Sequence, residues 1–273
     1  MNEQEKRKEM IKKTFDTVSV GYDSPALRFF HESAKNMTPF MKFRGNENIL
    51  DVAAGTGRLS LAIAQSLPMG RVTGADFSAG MLAQARSKAE AAGIRNAEFV
   101  EMDMQEMVFP DDHFDAAVCA FGIFFVEDME RQIRHIADKV KPGGKVAISN
   151  FHGEMFTPIG GMFLDRIKGY GVEIPPMTWK RIASEEKCKL LFQAAGLKDI
   201  RSEVKNIGYY LKNTDEWWDV IWYAGFRGMV NQLSPDDLKR FREEHLDEVQ
   251  RTMTKDGIWL DVEVIYTSGI KEL

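Results

Sequence analysis

Between residues 48 and 150, short apolar runs alternate with stretches in which apolar residues recur at helical spacing. The apolar runs predict strands near 48–52, 71–76, 97–101, 114–119 and 144–150. The helical spacing predicts helices near 57–67, 79–92 and 129–140. Strands that alternate with helices are typical of a parallel sheet covered on both faces, so we expect a doubly wound α/β fold.

Further elements are predicted on both sides of this core. The expected helices lie near 4–16, 24–42, 184–195, 214–231 and from Ser234-Pro235 onward, with a strand near 201–211. The last segment, 258–266, alternates apolar and polar residues as a strand with one buried face does. Late strands joined by a long connection favour an antiparallel edge on the parallel sheet.

Composition narrows the classes of function. With 44% hydrophobic and 28% charged residues, the chain is typical of a soluble globular protein. A net charge of −5 argues against a nucleic-acid partner. Since no apolar stretch reaches the length of a membrane span and the N-terminal residues lack a signal core, we expect a cytoplasmic protein. Cys119 and Cys188 indicate neither a disulfide framework nor a metal site, so no metal is expected.

The strongest chemical signal follows the first predicted strand of the core. That strand ends in Asp51, a loop of small residues at 53–57 leads into a helix, and the next strand ends in Asp76. Small residues let the backbone approach a ligand, and the free N–H groups of the helix point into the loop. The second carboxylate has two acceptor oxygens for two ribose hydroxyls. The pattern therefore predicts a site for a nucleoside cofactor.

The residue at the third glycine position of a G-x-G-x-x-G motif decides which cofactor is expected. A dinucleotide fingerprint requires Gly or Ala there, whereas this chain has Ser60. The spacing acid-x-small-x-Gly-x-Gly, formed by Asp51, Ala53, Gly55 and Gly57, instead resembles motif I of the class I S-adenosylmethionine (SAM) methyltransferases. Ala53 departs from the glycine that is usual at the first small position.

Three further blocks resemble the same family in the same order. They are 74–82 (GADFSAGML), 102–104 (MDM) and 141–145 (KPGGK), with 110–115 (PDDHFD) before the fourth strand. Residues 45–150 thus resemble the small-molecule methyltransferases of the ubiquinone/menaquinone-biosynthesis type. The resemblance implies SAM as cofactor and a sheet of order 3-2-1-4-5-7-6 with an antiparallel last strand.

On that basis we expect a single methyltransferase domain over 1–273. Its expected parts are an N-terminal helical lid (1–44), a SAM-binding core (45–150), a substrate cap with the sixth strand (151–231) and a helix with the final antiparallel strand (232–273).

The resemblance also implies roles for individual residues. Asp51 would reach the methionine ammonium, Gly55 and Gly57 would let the backbone approach the cofactor, Asp76 would bind the ribose, and Asp103 would bind the adenine amino group. The other implied cofactor contacts are Tyr22, Ala53, Phe77, Met81, Met104, Ala120 and Phe121.

Methyl transfer from a sulfonium is an in-line displacement, so the protein mainly has to align the nucleophile, the methyl group and the sulfur. We expect an oxygen or carbon nucleophile on a small, apolar or aromatic acceptor. Its proton could be removed by a positioned side chain, for which His152, His31 and Tyr22 are the candidates. The expected substrate contacts are Phe125, Trp179, Trp218 and Trp222.

Two other functions stay open, a nicotinamide-dependent oxidoreductase and a SAM-binding module without transferase activity. Ser60 and the block around Asp103 argue against the first of them. The expected partner is a small-molecule methyl acceptor, and a homodimer also stays open.

Overall fold

The computed structural model describes residues 3–272 of the chain. The strands are β1 (Asn48–Val52), β2 (Arg71–Asp76), β3 (Ala97–Glu101), β4 (Phe114–Ala120), β5 (Val140–Phe151), β6 (Lys198–Asn206), β7 (Tyr209–Leu211), β8 (Ile258–Leu260) and β9 (Glu263–Ile270). The helices are α1 (Glu3–Val18), α2 (Phe29–Met41), α3 (Arg58–Ser66), α4 (Ala79–Ala91), α5 (Met129–Asp138), α6 (Ile159–Gly169), α7 (Glu185–Ala194), α8 (Thr214–Tyr223), α9 (Arg227–Val230) and α10 (Pro235–Gln250).

Seven strands form one sheet in the order β3-β2-β1-β4-β5-β9-β6. β1 to β5 pair in parallel, and β9 lies antiparallel between β5 and β6. Because β9 is the seventh strand of this sheet in chain order, the predicted order and the predicted antiparallel strand are both confirmed. The parallel strands all end at one edge, and this edge carries the loops that follow β1, β2 and β4.

The predicted core elements are present with nearly the predicted bounds. β1 is buried from its second residue onward, as expected for a short apolar strand inside a covered sheet. α4 begins after Ser78, whose hydroxyl accepts a hydrogen bond from the backbone N–H of Met81 at 3.1 Å. The local signals of strand, acid, small loop and cap therefore agree with the fold.

The C-terminal strand prediction is wrong in its bounds. The segment breaks after Leu260: β8 pairs with β7 in a separate two-stranded sheet, and β9 begins only at Glu263. β9 is buried at six consecutive positions, because it lies inside the large sheet and is covered on both faces. A sequence pattern that assumes one buried face therefore does not predict the burial of both faces of β9.

The KPGGK block at 141–145 lies within β5, because this strand already begins at Val140. Val140 pairs with Phe114 and Lys145 pairs with Ala116, so residues 141–144 bulge out of the strand opposite the single residue Asp115 of β4. Gly143, with φ of +76°, supplies the left-handed backbone that this bulge requires.

Beyond β5, helices α6, α8 and α10 pack on one another through aromatic rings. Trp217 on α8 and His245 on α10 are both fully buried, and the indole N–H of Trp217 donates to Nε2 of His245 at 2.8 Å. Residues 214–231 were predicted as one helix and instead form α8 and α9. α6 was not predicted.

No helix among residues 3–272 combines the length and the apolar character needed to cross a bilayer. Cys119 and Cys188 are buried, unpaired thiols, in agreement with the expectation that they form no disulfide.

The buried His245 makes stability depend on pH. Burial lowers its pKa from 6.5 to about 4, so folding favours the neutral ring, and the free energy of unfolding should fall as the pH drops from 6.5 toward 4. His245→Gln removes this protonation while leaving an acceptor for Trp217. Urea denaturation at pH 7.0 and 4.5 should show a loss larger by about 2 kcal/mol in the wild type than in the variant. Equal losses would contradict the assignment.

Candidate active site

A cavity of about 1180 Å³ lies at the carboxyl edge of the sheet. Its floor includes Asp51 from the end of β1, Asp76 from the end of β2 and Ala120 from the end of β4. Its opposite walls come from α1, α2 and α5. Crevices at this edge of open α/β sheets are where ligands of such folds bind.

The small-residue loop is shaped by left-handed backbone at two positions facing the cavity. Ala53 has φ of +56° and Gly55 has φ of +55°. A Cβ built on Gly55 would meet no atom within 4 Å, so this glycine faces open space. Ala53 accepts a conformation that side chains disfavour, which marks the loop as strained by its surroundings. The loop therefore presents bare backbone to the cavity.

Gly57 lies outside the cavity lining, and a Cβ at this position would come 2.8 Å from Cβ of Ala85 and 3.0 Å from the ring of Phe99. The absence of a side chain at Gly57 therefore lets α3 begin close against α4. The predicted contact of Gly57 with the cofactor stays a prediction.

Asp51 is a buried carboxylate with a raised pKa. Its side chain is 1% exposed, and Oδ2 accepts a hydrogen bond from Oγ of Ser60 at 2.5 Å. Burial raises the pKa of Asp51 to about 7, while the bond from Ser60 opposes the rise and the charge of Asp76 adds to it. Ser60, which departs from the dinucleotide fingerprint, is thus the hydrogen-bond partner of Asp51.

Asp76 ties the loop to the next helix. Oδ2 accepts from the backbone N–H of Gly55 at 2.8 Å, and Oδ1 accepts from that of Ser78 at 2.8 Å. Burial raises the pKa of Asp76 and these two backbone bonds oppose the rise. Each carboxylate oxygen can accept more than one hydrogen bond, so both can still receive a ligand hydroxyl.

The far end of the cavity is closed by residues that follow β3. Oδ1 of Asp103 accepts from the backbone N–H of Gln105 at 2.9 Å, and its other oxygen contacts the ammonium of Lys8 on α1. The carbonyl of Met104 accepts from Nε2 of Gln132 at 2.7 Å. Lys8 was not predicted at this position. It places a charged donor beside the carboxylate to which the adenine amino group was assigned.

Aromatic rings form the wall opposite the loop. Tyr22 stacks on Phe30 with centroids 4.8 Å apart, and Phe30 meets Phe121 edge to face at 5.3 Å. Phe15 on α1 meets Phe125 edge to face at 5.4 Å. Phe121 has φ of +53°, a strained conformation at the end of β4 that turns the chain along the cavity.

Most of the predicted cofactor contacts lie around the same cavity. The predicted residues in its lining are Tyr22, Asp51, Ala53, Gly55, Asp76, Phe77, Met81, Asp103, Met104, Ala120, Phe121 and Phe125. Phe15, Phe30 and Met37 belong to the lining but were not assigned to the site. The sequence shows only that these residues belong to the apolar faces of the two N-terminal helices. It does not show that those faces lie over a cavity.

Two of the predicted bases lie elsewhere. His31 is exposed on α2 and is absent from the cavity lining. His152 follows β5, but its Nδ1 lies 2.7 Å from Oε2 of Glu263 on β9, and it also lies outside the cavity. The position of His152 after β5 correctly predicts that it lies at the carboxyl edge of the sheet. It does not predict the direction in which the side chain points.

The three predicted substrate tryptophans lie outside the cavity lining and pack against other side chains. Trp179 meets Phe151 edge to face at 6.0 Å, and Trp218 stacks on Trp222 with centroids 5.8 Å apart. The guanidinium of Arg227 covers the ring of Trp222 at 3.3 Å. Among the described residues of the expected cap, 151–231, Leu191 alone lines the cavity. The cover comes instead from α1 and α2.

Across the described range, 3–272, no group of three or more His, Cys, Asp or Glu side chains is placed to hold a metal ion.

The two loop glycines make a matched pair for mutation. Gly57→Ala should lower the free energy of unfolding by about 3 kcal/mol, because it adds a clash with Ala85 to the cost of a left-handed backbone. Gly55→Ala should cost only about 1 kcal/mol, since its Cβ enters open space. Denaturation in urea measures both. A Gly57 variant as stable as the Gly55 variant would show that packing does not require this glycine.

Comparison with known proteins agrees with this geometry. A methyltransferase-domain family matches residues 49–144. The chain is 32% identical over 148 residues to a demethylmenaquinone methyltransferase of Listeria welshimeri, a match over 52% of this chain and 63% of the relative. It is 31% identical over 157 residues to a ubiquinone/menaquinone biosynthesis C-methyltransferase of Bdellovibrio bacteriovorus, over 56% and 66% of the two chains.

The chain therefore spans less than two thirds of the length of these relatives. Among solved structures, the YcgJ protein of Bacillus subtilis superposes with a TM-score of 0.59 at 21% identity, covering 89% of this chain and 99% of that one. At this identity the likeness concerns the fold. Residues 49–144 thus match a methyltransferase-domain family, and the strand order of the sheet and the loop with its two acids agree with that match.

Proposed function

We propose that the protein transfers a methyl group from SAM to an oxygen or carbon nucleophile of a small apolar or aromatic molecule. One observation carries the proposal. The buried carboxylates of Asp51 and Asp76 flank a loop of bare backbone inside a cavity whose other wall is aromatic. The acids suit a cationic nucleoside, and the rings suit its acceptor.

The residues present fit the cofactor by charge. Asp51 is buried, and its hydrogen-bond partner is the neutral hydroxyl of Ser60. A carboxylate in this environment gains from a nearby cation, and SAM carries both an ammonium and a sulfonium. When bound, the cofactor supplies an activated methyl group. Asp51 would face the ammonium, Asp76 the ribose hydroxyls and Asp103 the adenine edge, where Lys8 shares its carboxylate.

The protein's contribution to the reaction is alignment and exclusion of water. Well-oriented reactants can save roughly 7–11 kcal/mol of the activation barrier. Phe30, Phe121 and Phe125 offer flat apolar surfaces that would hold a planar acceptor, while α1 and α2 cover it. We therefore propose residues 1–44, rather than 151–231, as the acceptor lid.

Tyr22 is the one predicted base that lines the cavity. Burial raises its pKa well above the usual value, with the charges of Asp76 and Asp23 adding to the rise. Its hydroxyl thus stays protonated at neutral pH and would donate a hydrogen bond to the acceptor rather than remove its proton.

The names of the two relatives support a ring-shaped acceptor. One is a demethylmenaquinone methyltransferase, and the other is a C-methyltransferase of ubiquinone/menaquinone biosynthesis. A carbon nucleophile next to a ring hydroxyl needs little more than orientation once that hydroxyl has ionised. We infer a hydroxylated aromatic or quinol-like compound as the first acceptor class to test.

The test combines binding with turnover. Calorimetry should detect SAM and S-adenosylhomocysteine (SAH) but not NAD, and labelled methyl from SAM should appear in a hydroxylated aromatic acceptor. NAD binding without SAM binding would favour the oxidoreductase alternative. SAM binding without transfer to any compound of a broad acceptor panel would favour a binding module.

Replacing the ribose acid should weaken binding of the nucleoside. Asp76→Ala removes the charged acceptor of two hydroxyls and also frees Gly55, so we expect SAH affinity to fall more than tenfold. Asp247→Ala, which removes an exposed carboxylate of α10 outside the cavity lining, is the control and should leave affinity unchanged. Near-normal affinity of the Asp76 variant would remove this residue from the ribose role.

SAM affinity should also depend on pH through Asp51. Its pKa is about 7 in the free protein, and a bound cation lowers it, so binding releases a proton. The affinity should rise about tenfold between pH 5.5 and 7.5 and then level off. Asp51→Asn should bind more weakly and lose this dependence. Calorimetry across this range measures both, and parallel pH profiles would contradict contact between Asp51 and the cation.

A further inference from the structure

A short segment, formed by the last residues of α1 and the turn that follows it, lies beside the cavity. We call residues 16–24 the strap. On its inner side Tyr22 lines the cavity, and on its other side a Cβ built on Gly21 would fall 1.9 Å from the ring of Tyr223 on α8. The strap is therefore held between the cofactor site and the helices beyond it.

Two acids fasten the strap to the core. At its start, Oδ1 of Asp16 accepts from Oγ of Ser78 at 2.6 Å and from the backbone N–H of Gly80 at 3.1 Å. These donors belong to the beginning of α4. The acid near the other end of the strap, Asp23, faces cations as well as neutral donors.

Asp23 gathers donors from three parts of the core. Its Oδ1 accepts from Oγ1 of Thr56 at 2.9 Å and from Nε of Arg58 at 2.6 Å, and its Oδ2 contacts the ammonium of Lys88 on α4. Nη2 of Arg58 also donates to the backbone carbonyl of Asp23 at 3.1 Å. Loop, α3 and α4 are thus joined through one residue of the strap.

This cluster is shielded from solvent. The side chains of Asp23, Arg58 and Lys88 are 24%, 26% and 32% exposed. Although burial opposes ionisation of Asp23, Lys88 and Arg58 hold its pKa below the usual value. A half-buried carboxylate shared by two cations is held more firmly than an exposed surface pair.

The cluster touches the site through its neighbours. Thr56 and Arg58 line the cavity, and Tyr22 precedes Asp23 directly in the chain. The ring of Tyr22 stacks on Phe30, so its position depends on where the strap is fixed.

We propose that Asp23 is a positioning residue whose ion pairs with Arg58 and Lys88 hold Tyr22 over the cavity and slow the exchange of the adenosyl cofactor. The inference rests on the proposed function, because exchange requires that an adenosyl compound binds. It assigns the strap a kinetic role: cofactor release is limited by breaking these ion pairs. Asp23 itself does not contact the cofactor.

The test measures the dissociation rate of SAH by stopped flow. Asp23→Asn and Lys88→Met should each raise the rate at least tenfold, and the double variant should not be much faster than Asp23→Asn, because that single variant has already lost the ion pair with Lys88. Lys88→Arg keeps the charge and should stay within a few-fold of the wild type. Glu32→Gln, which breaks an exposed ion pair on α2, is the matched control and should leave the rate unchanged.

A second measurement does not need the cofactor. Hydrogen exchange at backbone amides of residues 17–24 in the free protein should be faster in Asp23→Asn than in the wild type, while the strands β1 and β4 stay protected. Added salt should speed SAH release from the wild type more than from this variant, because salt screens the ion pairs. A purely structural role would loosen strap and strands together.

Each outcome decides one question. Wild-type SAH release from Asp23→Asn would overturn the inference while leaving the proposed function intact. Failure of the wild type to bind SAH or SAM would overturn the proposed function, and equal exchange of residues 17–24 in wild type and variant would then overturn the positioning role as well. If Asp23→Asn does not fold, Lys88→Met carries the same test.

Discussion

The carboxylate of Asp76 is the interaction on which the cavity depends. It accepts the backbone N–H of Gly55 after β1 and that of Ser78 before α4, both at 2.8 Å. One side chain thereby sets the distance between the loop and the neighbouring helix, and with it the width of the cleft. Because both donors are backbone groups, the arrangement holds whatever side chains vary around it.

Charge then selects among ligands that could enter this cleft. Asp51 and Asp76 are both buried, and the pKa of each is raised by burial, with the charge of Asp76 adding to the rise at Asp51. A pyrophosphate would bring more negative charge to two acids that already repel each other. A ligand with an ammonium and a sulfonium relieves that repulsion. The electrostatics therefore agree with SAM and oppose a dinucleotide, for a reason independent of the glycine spacing.

The sequence predicted what local patterns determine. Asp51 and Asp76 could be assigned because strand ends, small loops and helix caps are set by neighbours in the chain. Trp218 and His152 could not, because residue type indicates burial or polarity but not which way a side chain points. α8 turns its tryptophans toward α10, and His152 meets Glu263 on a strand more than a hundred residues away. Such contacts follow from tertiary packing alone.

The distinction between local patterns and tertiary packing also separates the two sides of the cavity, the side formed by the core and the side formed by the N-terminal helices. Apart from Tyr22, the lining residues expected to contact the cofactor lie between Asp51 and Phe121, inside the segment that matches the methyltransferase family at 49–144. Three rings of the opposite wall, Phe15, Tyr22 and Phe30, precede that segment. Similarity in the core thus bears more directly on the methyl donor than on the methyl acceptor. The shape of the cavity on the aromatic side follows from how α1 and α2 pack over the strand ends, as the stacking of Tyr22 on Phe30 illustrates.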